Sequence, residues 1–345
     1  MSREPALSDP GSAKHTLPRP AAPQQTGITG KPGWPWLKRA ATAAFFMLVA
    51  GLLILQARAV EWTEVFVTLR NYPLSALLGA VALAIISLTL YSAFDLLGRH
   101  YTGHTLRVPS VMTVTFISYV FNLNLGALVG GVAFRYRLYS RLGLATGVIT
   151  RILSLSMLTN WMGYLLLGGL VFSLQPPRLP AGWKMDALQL RFLGFLLVAM
   201  AMGYLALCAF SRLRTLRLRG HEIALPSARL AVLQLLLGAG NWLVISGIIY
   251  ILLLQRIGFS AVVGVLLLAA VAGVIAHVPA GLGVLEAVFV ALLSHQMPMH
   301  ELLATLVAYR VIYYLAPLAV ATGVYLLMEA RAKRRGRGPP PATLA

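Results

Sequence analysis

The sequence predicts an all-α integral membrane protein. The expected architecture is a polytopic helical bundle of about seven full spans, with interrupted or re-entrant segments near 109–131 and 261–296 and a possible inverted repeat. Three observations predict it. Of 345 residues, 58% are hydrophobic and only 11% are charged, against about 25% charged in a typical soluble domain. A soluble fold with so few charges could not cover its own surface. Apolar stretches of about 20 residues, enough to cross the hydrocarbon as helices, recur along the chain. Finally, Lys and Arg gather in the short connections beside those stretches, the pattern that orients membrane helices.

Residues 1–36 contain Pro5, Pro10, Pro18, Pro20, Pro23, Pro32 and Pro35 and read as a disordered cytoplasmic tail. The first apolar run begins after residue 40, too late for a signal peptide. The polytopic domain is expected over 37–329 and a basic cytoplasmic tail over 330–345. Full spans are expected at 38–57, 73–94, 149–173, 188–210, 229–254, 261–278 and 301–328.

Two segments do not read as plain spans. Residues 109–131 are apolar but broken by Asn122, Asn124, Gly126, Gly130 and Gly131. If this segment dips in and returns, segments 1–39, 95–108, 132–151, 211–229 and 329–345 are cytoplasmic. They carry 22 Lys/Arg, against 5 in the outer loops. If it crosses, everything after it inverts and the tally becomes 11 inside and 16 outside. The positive-inside rule therefore favours the re-entrant form. The second segment enters at 261–278, breaks at Pro279, Gly281 and Gly283, and returns over 284–296. It is either a re-entrant hairpin or two short spans, which charge does not separate. Broken helices at corresponding points of inverted halves mark the binding site in many transporters. Irregular backbone at membrane depth is tolerated where it is buried in protein or lines a cavity. The bland alternative is a bundle with two glycine-rich packing kinks.

The net charge of +19 does not argue for nucleic acid, because the cations sit in loops and tails and not on a folded basic surface. It argues for topology and contact with anionic lipid. The single cysteine, Cys208, allows no internal disulfide. No cofactor or metal site is expected, and no catalytic motif points to an enzyme.

Ionisable groups inside spans are costly, by roughly 2.5–3.5 kcal/mol at a helix centre, so each needs a reason. Arg310 lies deep in the last expected span and calls for an anionic partner; Glu286, one turn past the second break, is the obvious one. Arg135 and Arg137 follow the first break two residues apart, so only one of them faces inward on a helix. Asp95 ends the second span beside Arg99, where interfacial solvation accounts for it. Arg151 begins the third span, and snorkelling accounts for it. His277 beside Pro279 reads as a packing histidine.

Two stretches go beyond composition. One runs from Asn124-Leu125-Gly126 through Gly130-Gly131-Val132-Ala133-Phe134-Arg135-Tyr136-Arg137-Leu138-Tyr139-Ser140. The other is His277-Val278-Pro279-Ala280-Gly281-Leu282-Gly283-Val284-Leu285-Glu286, followed by Ala308-Tyr309-Arg310-Val311-Ile312-Tyr313-Tyr314-Leu315. Both resemble signatures of the membrane domain of lysylphosphatidylglycerol synthase, the multiple peptide resistance factor, and the likeness covers about 38–328. Ala280 stands where that family carries a second Gly. The resemblance implies a flippase-like membrane half without the aminoacyl-transferase half. It also places Asp95, Arg135, Arg137, Glu286 and Arg310 at the family's polar motif positions. The expected function is translocation or handling of phospholipid in a bacterial inner membrane, with anionic membrane phospholipids as partners and both termini cytoplasmic. The alternatives are a transporter of a small anionic solute and a non-transporting subunit that recruits an envelope partner.

Overall fold

A computed structural model describes residues 63, 67, 70–179, 186–211, 215–218, 221–276 and 281–335. The expected tail 1–36, the first expected span 38–57, His277, Pro279 and Ala280 lie outside the described residues, as do the last ten residues. The described chain is a helical bundle with seven helical stretches long and apolar enough to cross a membrane. The elements in order are α1 (Leu74–Thr102), α2 (Val108–Leu125), a π-helical segment (Ala127–Ala133), α3 (Phe134–Arg141), α4 (Thr146–Leu174) and α5 (Ala187–Phe210). A short antiparallel pair, β1 (Thr215–Leu218) and β2 (His221–Ala224), follows in a basic connection. Then come α6 (Ala228–Leu252), α7 (Phe259–Ala276), α8 (Val284–Leu293), α9 (Met299–Arg310), a second π-helical segment (Val311–Leu315) and α10 (Ala316–Arg335).

Local signals set several boundaries. α1 ends at Gly103, whose φ of 69° supplies the left-handed cap. α5 starts with a capping box: Gln189 N donates to Asp186 Oδ1 at 2.8 Å, and Asp186 N donates to Gln189 Oε1 at 3.1 Å. α4 and α6 cross where Gly163 meets Gly238; a Cβ on Gly163 would lie 2.1 Å from the Gly238 carbonyl carbon. Small residues at such a crossing let backbones approach, and that close packing drives helix association in lipid. The outer faces are apolar. Phe192, Phe195, Leu196, Met200 and Phe210 of α5 and Leu74, Leu78 and Ile85 of α1 are all exposed. Surfaces of this kind are stable in hydrocarbon and not in water.

The bundle has two ends. At one lie the connections 103–107 and 142–145 and the end of α10, and Arg141 is paired with Glu329. At the other, the connections 253–258 and 294–298 lie with the start of α1. Here the Tyr72 hydroxyl bonds the Leu252 carbonyl and lies 2.9 Å from Thr305 Oγ1, while Arg256 pairs with Glu301. The first end carries Arg99, Arg107, Arg137, Arg141, Arg151, Arg229 and Arg331, and we refer to it as the basic end.

Two hairpins enter from opposite ends. The first begins at the basic end with α2, turns at Gly126 (φ 84°) and returns through the π-helical segment and α3. Its legs are held in register by the stacked rings of Phe121 and Phe134, 4.3 Å apart, and by the Thr115 and Tyr139 hydroxyls at 3.5 Å. Gly130 fits because its backbone lies directly on Phe121 and Asn122. The second hairpin, α7 and α8, begins at the other end, and Gly281 (φ 57°) passes 3.9 Å from where a Cβ on Gly273 would be. α8 has ten residues, about 15 Å of helix, half of the roughly 30 Å hydrocarbon. The segment 261–296 thus pairs one helix of 18 residues, α7, with a half-length return leg.

Two boundaries differ from the sequence expectation. α1 runs to Thr102, eight residues past the expected end at 94, because no proline interrupts it and Gly98 is buried against Ile152 before the cap at Gly103. α10 continues to Arg335, past the span end expected at 328. The strand pair is not announced by the charge-rich run that contains it.

Candidate functional site

The two hairpins each bring a buried ion pair into the bundle. In the first, Arg135 on α3 meets Asp95 on α1 in a bidentate contact: Nε donates to Oδ2 at 3.0 Å and Nη2 to Oδ1 at 3.2 Å. Tyr139 donates its hydroxyl to Oδ2 at 2.9 Å, Arg135 Nη2 donates to Ser156 Oγ at 3.3 Å, and the guanidinium sits 5.9 Å from the Tyr91 ring centroid. Asp95 is 0% exposed and Arg135 3%. This corrects the expectation that Asp95 is a solvated interfacial carboxylate. The extra turns of α1 carry it inside the bundle, opposite the returning leg of the first hairpin.

In the second, Arg310 meets Glu286 across α9 and α8, with Nε donating to Oε1 at 2.5 Å and Nη2 to Oε2 at 3.0 Å. Nη2 also donates to the Gly281 carbonyl at 3.2 Å, which ties the cation to the break itself. The guanidinium carbon stands 5.4 Å from the Tyr314 ring centroid. Exposure separates the two pairs. Glu286 and Arg310 are 18% and 14% accessible, so a ligand can reach this pair, whereas the first is sealed.

The remaining predicted residues fall elsewhere. Arg137 points away from Asp95; it is 53% exposed and lies 3.6 Å from Glu329, as the two-residue offset from Arg135 requires. Arg151 is exposed on α4 at the basic end. Asn124 holds the tip of the first hairpin by donating to the Val120 carbonyl at 2.8 Å and the Tyr314 carbonyl at 3.3 Å. Asn122 lines a cavity beside that tip. Gly130 and Gly131 are packed against Asn122 in the returning leg, and Gly283 (φ 76°) caps the start of α8.

Between the ion pairs lies a cluster that sequence reasoning does not single out. Tyr91 stacks on Tyr119 with centroids 3.4 Å apart. The Tyr119 hydroxyl is 3.0 Å from that of Tyr313, which is 2.7 Å from Ser87 Oγ, and Ser87 donates to Asn241 Oδ1 at 2.8 Å. Tyr309 stacks on Tyr313 at 5.5 Å, and Tyr314 meets it edge-on at 5.8 Å.

Two spaces flank this cluster and share the second π-helical segment as a wall. An apolar groove of about 560 Å³ runs between α1, α2 and α10, lined by residues that include Val81, Ile85, Leu88, Phe116, Ile312 and Val320. A smaller cavity of about 300 Å³ lies at the hairpin tips against Tyr119, Asn122, Trp242, Gly281, Tyr313 and Tyr314. Single-turn π segments concentrate at functional sites. Here the wider turn sends Val311 and Ile312 to the groove and Tyr313 and Tyr314 to the cavity.

A polytopic bundle with opposed hairpins and these two signatures accords with the comparisons with known proteins. The model of the lysylphosphatidylglycerol synthase TM region matches residues 40–321. The chain belongs to that family. It is 46% identical over 304 residues to the inner membrane protein YbhN of Escherichia coli (strain K12), covering 88% of this chain and 96% of that protein. It is 31% identical over 312 residues to the protein slr0712 of Synechocystis sp., covering 88% and 97%. As a member of the lysylphosphatidylglycerol synthase TM family, the chain is a multi-pass membrane protein. No group of three or more His, Cys, Asp or Glu side chains that could hold a metal ion occurs among the described residues.

Proposed function

We propose that this chain moves phospholipid across the leaflets of a bacterial inner membrane, without catalysing a covalent change. The observation that carries this reading is the apolar groove between α1, α2 and α10. Its rim residues Val81, Ile85, Val311 and Val320 are exposed on the lipid-facing surface, so the groove opens sideways and not only to water. From Val81 to Ser92 it runs about 16 Å along α1, close to half of the roughly 30 Å hydrocarbon core. That is one leaflet's depth of acyl chain. A carrier of a small anionic solute needs no such sidewall.

Headgroup chemistry follows from the pairs. Arg310 recognises the phosphate, exchanging Glu286 for it, since guanidinium forks bind carboxylate and phosphate in the same bidentate geometry. Arg135 stays on Asp95 and fixes the first hairpin to α1 and α4. The basic end faces the cytoplasm, with both termini on that side, by the positive-inside rule. Its exposed arginines, Arg137 and Arg151 among them, gather anionic lipid.

The test is leaflet transfer of labelled phospholipid in vesicles containing the purified chain. Arg310→Ala is expected to lower the transfer rate at least tenfold while the protein still elutes as a folded species. Transfer at the wild-type rate by folded Arg310→Ala would refute the proposal.

A further inference from the structure

A third cavity, of about 300 Å³, lies at the end of the bundle away from the basic one. Asn71, Tyr72, Arg256, His300, Glu301 and Thr305 are among its lining residues. Arg256 and Glu301 are paired there, and both are partly exposed. Tyr72 and the buried Thr305 both donate to the Leu252 carbonyl in its wall. The turn that presents Arg256 is strained. α6 closes with Gln255 N donating to the Tyr250 carbonyl at 3.1 Å and Leu254 N to that of Ile251 at 3.0 Å. These are the bonds of a Schellman cap, whose left-handed position is usually glycine. Here it is Leu254 at φ 51°, followed by Gln255 at φ 60°, the two non-glycine residues with positive φ among the described residues. Leu254 is exposed, so core packing does not account for it. Backbone held in such sparsely populated regions clusters at functional sites. This turn sets Arg256 against Glu301 on α9.

The electrostatics of this cavity favour an anion. Its lining holds one carboxylate among the described residues, Glu301, and Arg256 already matches it. α1 and α9 both start at this cavity, behind Pro73 and Pro298, and neither start has a side-chain cap. The Pro73 carbonyl accepts from Ala76 and Leu77, and the Pro298 carbonyl from Glu301 and Leu302. The N–H groups of Leu74, Ser75, Met299 and His300 have no hydrogen-bond partner among the described residues. Two helix dipoles thus add positive potential to a cavity in which Arg256 and Glu301 cancel. We propose that this cavity is a second ligand site and takes a small, water-soluble oxyanion of the phosphate or carboxylate class. Arg256 exchanges Glu301 for it, since a guanidinium fork grips carboxylate and phosphate in the same geometry. The His300 ring and the Asn71 amide supply further donors from the lining. A cation finds no free lining carboxylate among the described residues. The site is separate from the Glu286–Arg310 pair: Arg310 lies nine residues beyond Glu301 on α9, about 13.5 Å along the helix. A bound anion would bridge the end of α6 and the starts of α1 and α9.

The experiment follows the phosphorus NMR line width of inorganic phosphate as the full-length purified chain is added at fixed ionic strength. Wild type and Arg310→Ala are expected to bind phosphate alike. Arg256→Gln, a change at an exposed side chain, is expected to weaken binding about tenfold or more, the worth of a lost charge-assisted pair. Glu301→Gln removes the competing carboxylate and is expected to tighten binding about three- to tenfold. Absence of phosphate binding overturns the site. So does binding that survives Arg256→Gln unchanged, or that Glu301→Gln fails to tighten. Binding lost in Arg310→Ala assigns the phosphate to the Glu286–Arg310 pair and overturns the site as well. In a last arm, dioctanoyl phosphatidic acid competes with phosphate on the Arg310→Ala chain. Displacement by a lower concentration of the lipid than of phosphate assigns the cavity to a lipid headgroup and overturns the soluble ligand; failure to displace supports it.

Discussion

Replacing Gly130 with Ala tests the first hairpin directly. A Cβ there would lie 2.1 Å from Asn122 N, 2.1 Å from the Phe121 carbonyl carbon and 2.2 Å from its oxygen. Carbon contacts settle near 3.5–4.0 Å, so the two legs would have to part by more than 1 Å. They cannot do so locally, because the Phe121–Phe134 stack and the buried Tyr139 close the hairpin on either side. Overpacking a core costs about 1–3 kcal/mol, and a clash with backbone belongs at the top of that range or above it. Two neighbours calibrate the effect. At Gly131 a Cβ would come only to 3.2 Å, from the Asn122 amide oxygen, a side chain that can rotate away. At Gly126 a Cβ meets nothing within 4 Å; the cost is backbone alone, φ 84° with ψ 168° being a region essentially reserved for glycine, of order 1–3 kcal/mol. Thermal unfolding in one detergent should rank Gly131→Ala nearest wild type, then Gly126→Ala, then Gly130→Ala. A Gly130→Ala midpoint equal to or above that of Gly131→Ala would show that α2 and the returning leg do not touch as described.

Three further outcomes follow. Asp95→Asn should be destabilised by about 3–5 kcal/mol, the cost of leaving a buried arginine without its charge partner, and adding Arg135→Met should recover part of the lost thermal midpoint. Arg151→Ala should unfold with a midpoint close to wild type, because surface substitutions stay within about ±0.5 kcal/mol. Stability should fall as pH drops below about 6.5, the ordinary histidine value, through His104. Burial, then the positive charge of Arg99, lowers the His104 pKa, and only the neutral ring accepts the Leu106 N–H at Nδ1. The folded state therefore binds this proton less readily than the unfolded chain, and the contribution is complete above that pH and lost below it. His104→Gln should flatten this part of the pH–stability curve.

The parts of this architecture that could be read from sequence are those that cost free energy in lipid. Asn122, Asn124 and the glycines near them cannot sit in a plain lipid-facing span, and the uneven distribution of Lys and Arg then fixes which way the chain turns. Arg310 and Glu286 were legible for the same reason: charges that deep need each other. Asp95 was not, because the apolar run thins out near residue 94 while the helix continues to Thr102. Hydropathy reports where lipid contact ends, and the burial of a carboxylate against another helix depends on packing that a single segment does not encode. The tyrosine cluster escaped for a different reason. Tyrosine suits the membrane interface, so its presence raises no alarm. The available signal was depth: Tyr91, Tyr119 and Tyr313 fall in the interior of their helices and not at the ends where aromatic belts sit.

Under the proposed function, the unequal burial of the two ion pairs suits the two opposed hairpins to different tasks. Breaking a sealed pair strands a charge in low dielectric, at about 3–5 kcal/mol. Asp95–Arg135, which also takes up Tyr139 and Ser156, is thus a poor candidate for an exchange repeated in every transport cycle. In the lipid-transfer reading proposed above, it stays closed and holds the first hairpin to α1 and α4. Glu286–Arg310 is partly wetted, and its arginine is also tied to the Gly281 carbonyl at the tip of the second hairpin. When an anion replaces Glu286 on Arg310, the bond to that tip is put in competition as well. Under the proposed function, exchange at the pair would therefore also loosen the tip, through the same guanidinium. The first hairpin carries Tyr119 and Asn122, while α9 and the second π-helical segment carry Arg310, Tyr313 and Tyr314. The cavity lies on the seam between them, lined by Gly281 and Tyr314, the two residues that the Arg310 guanidinium also contacts.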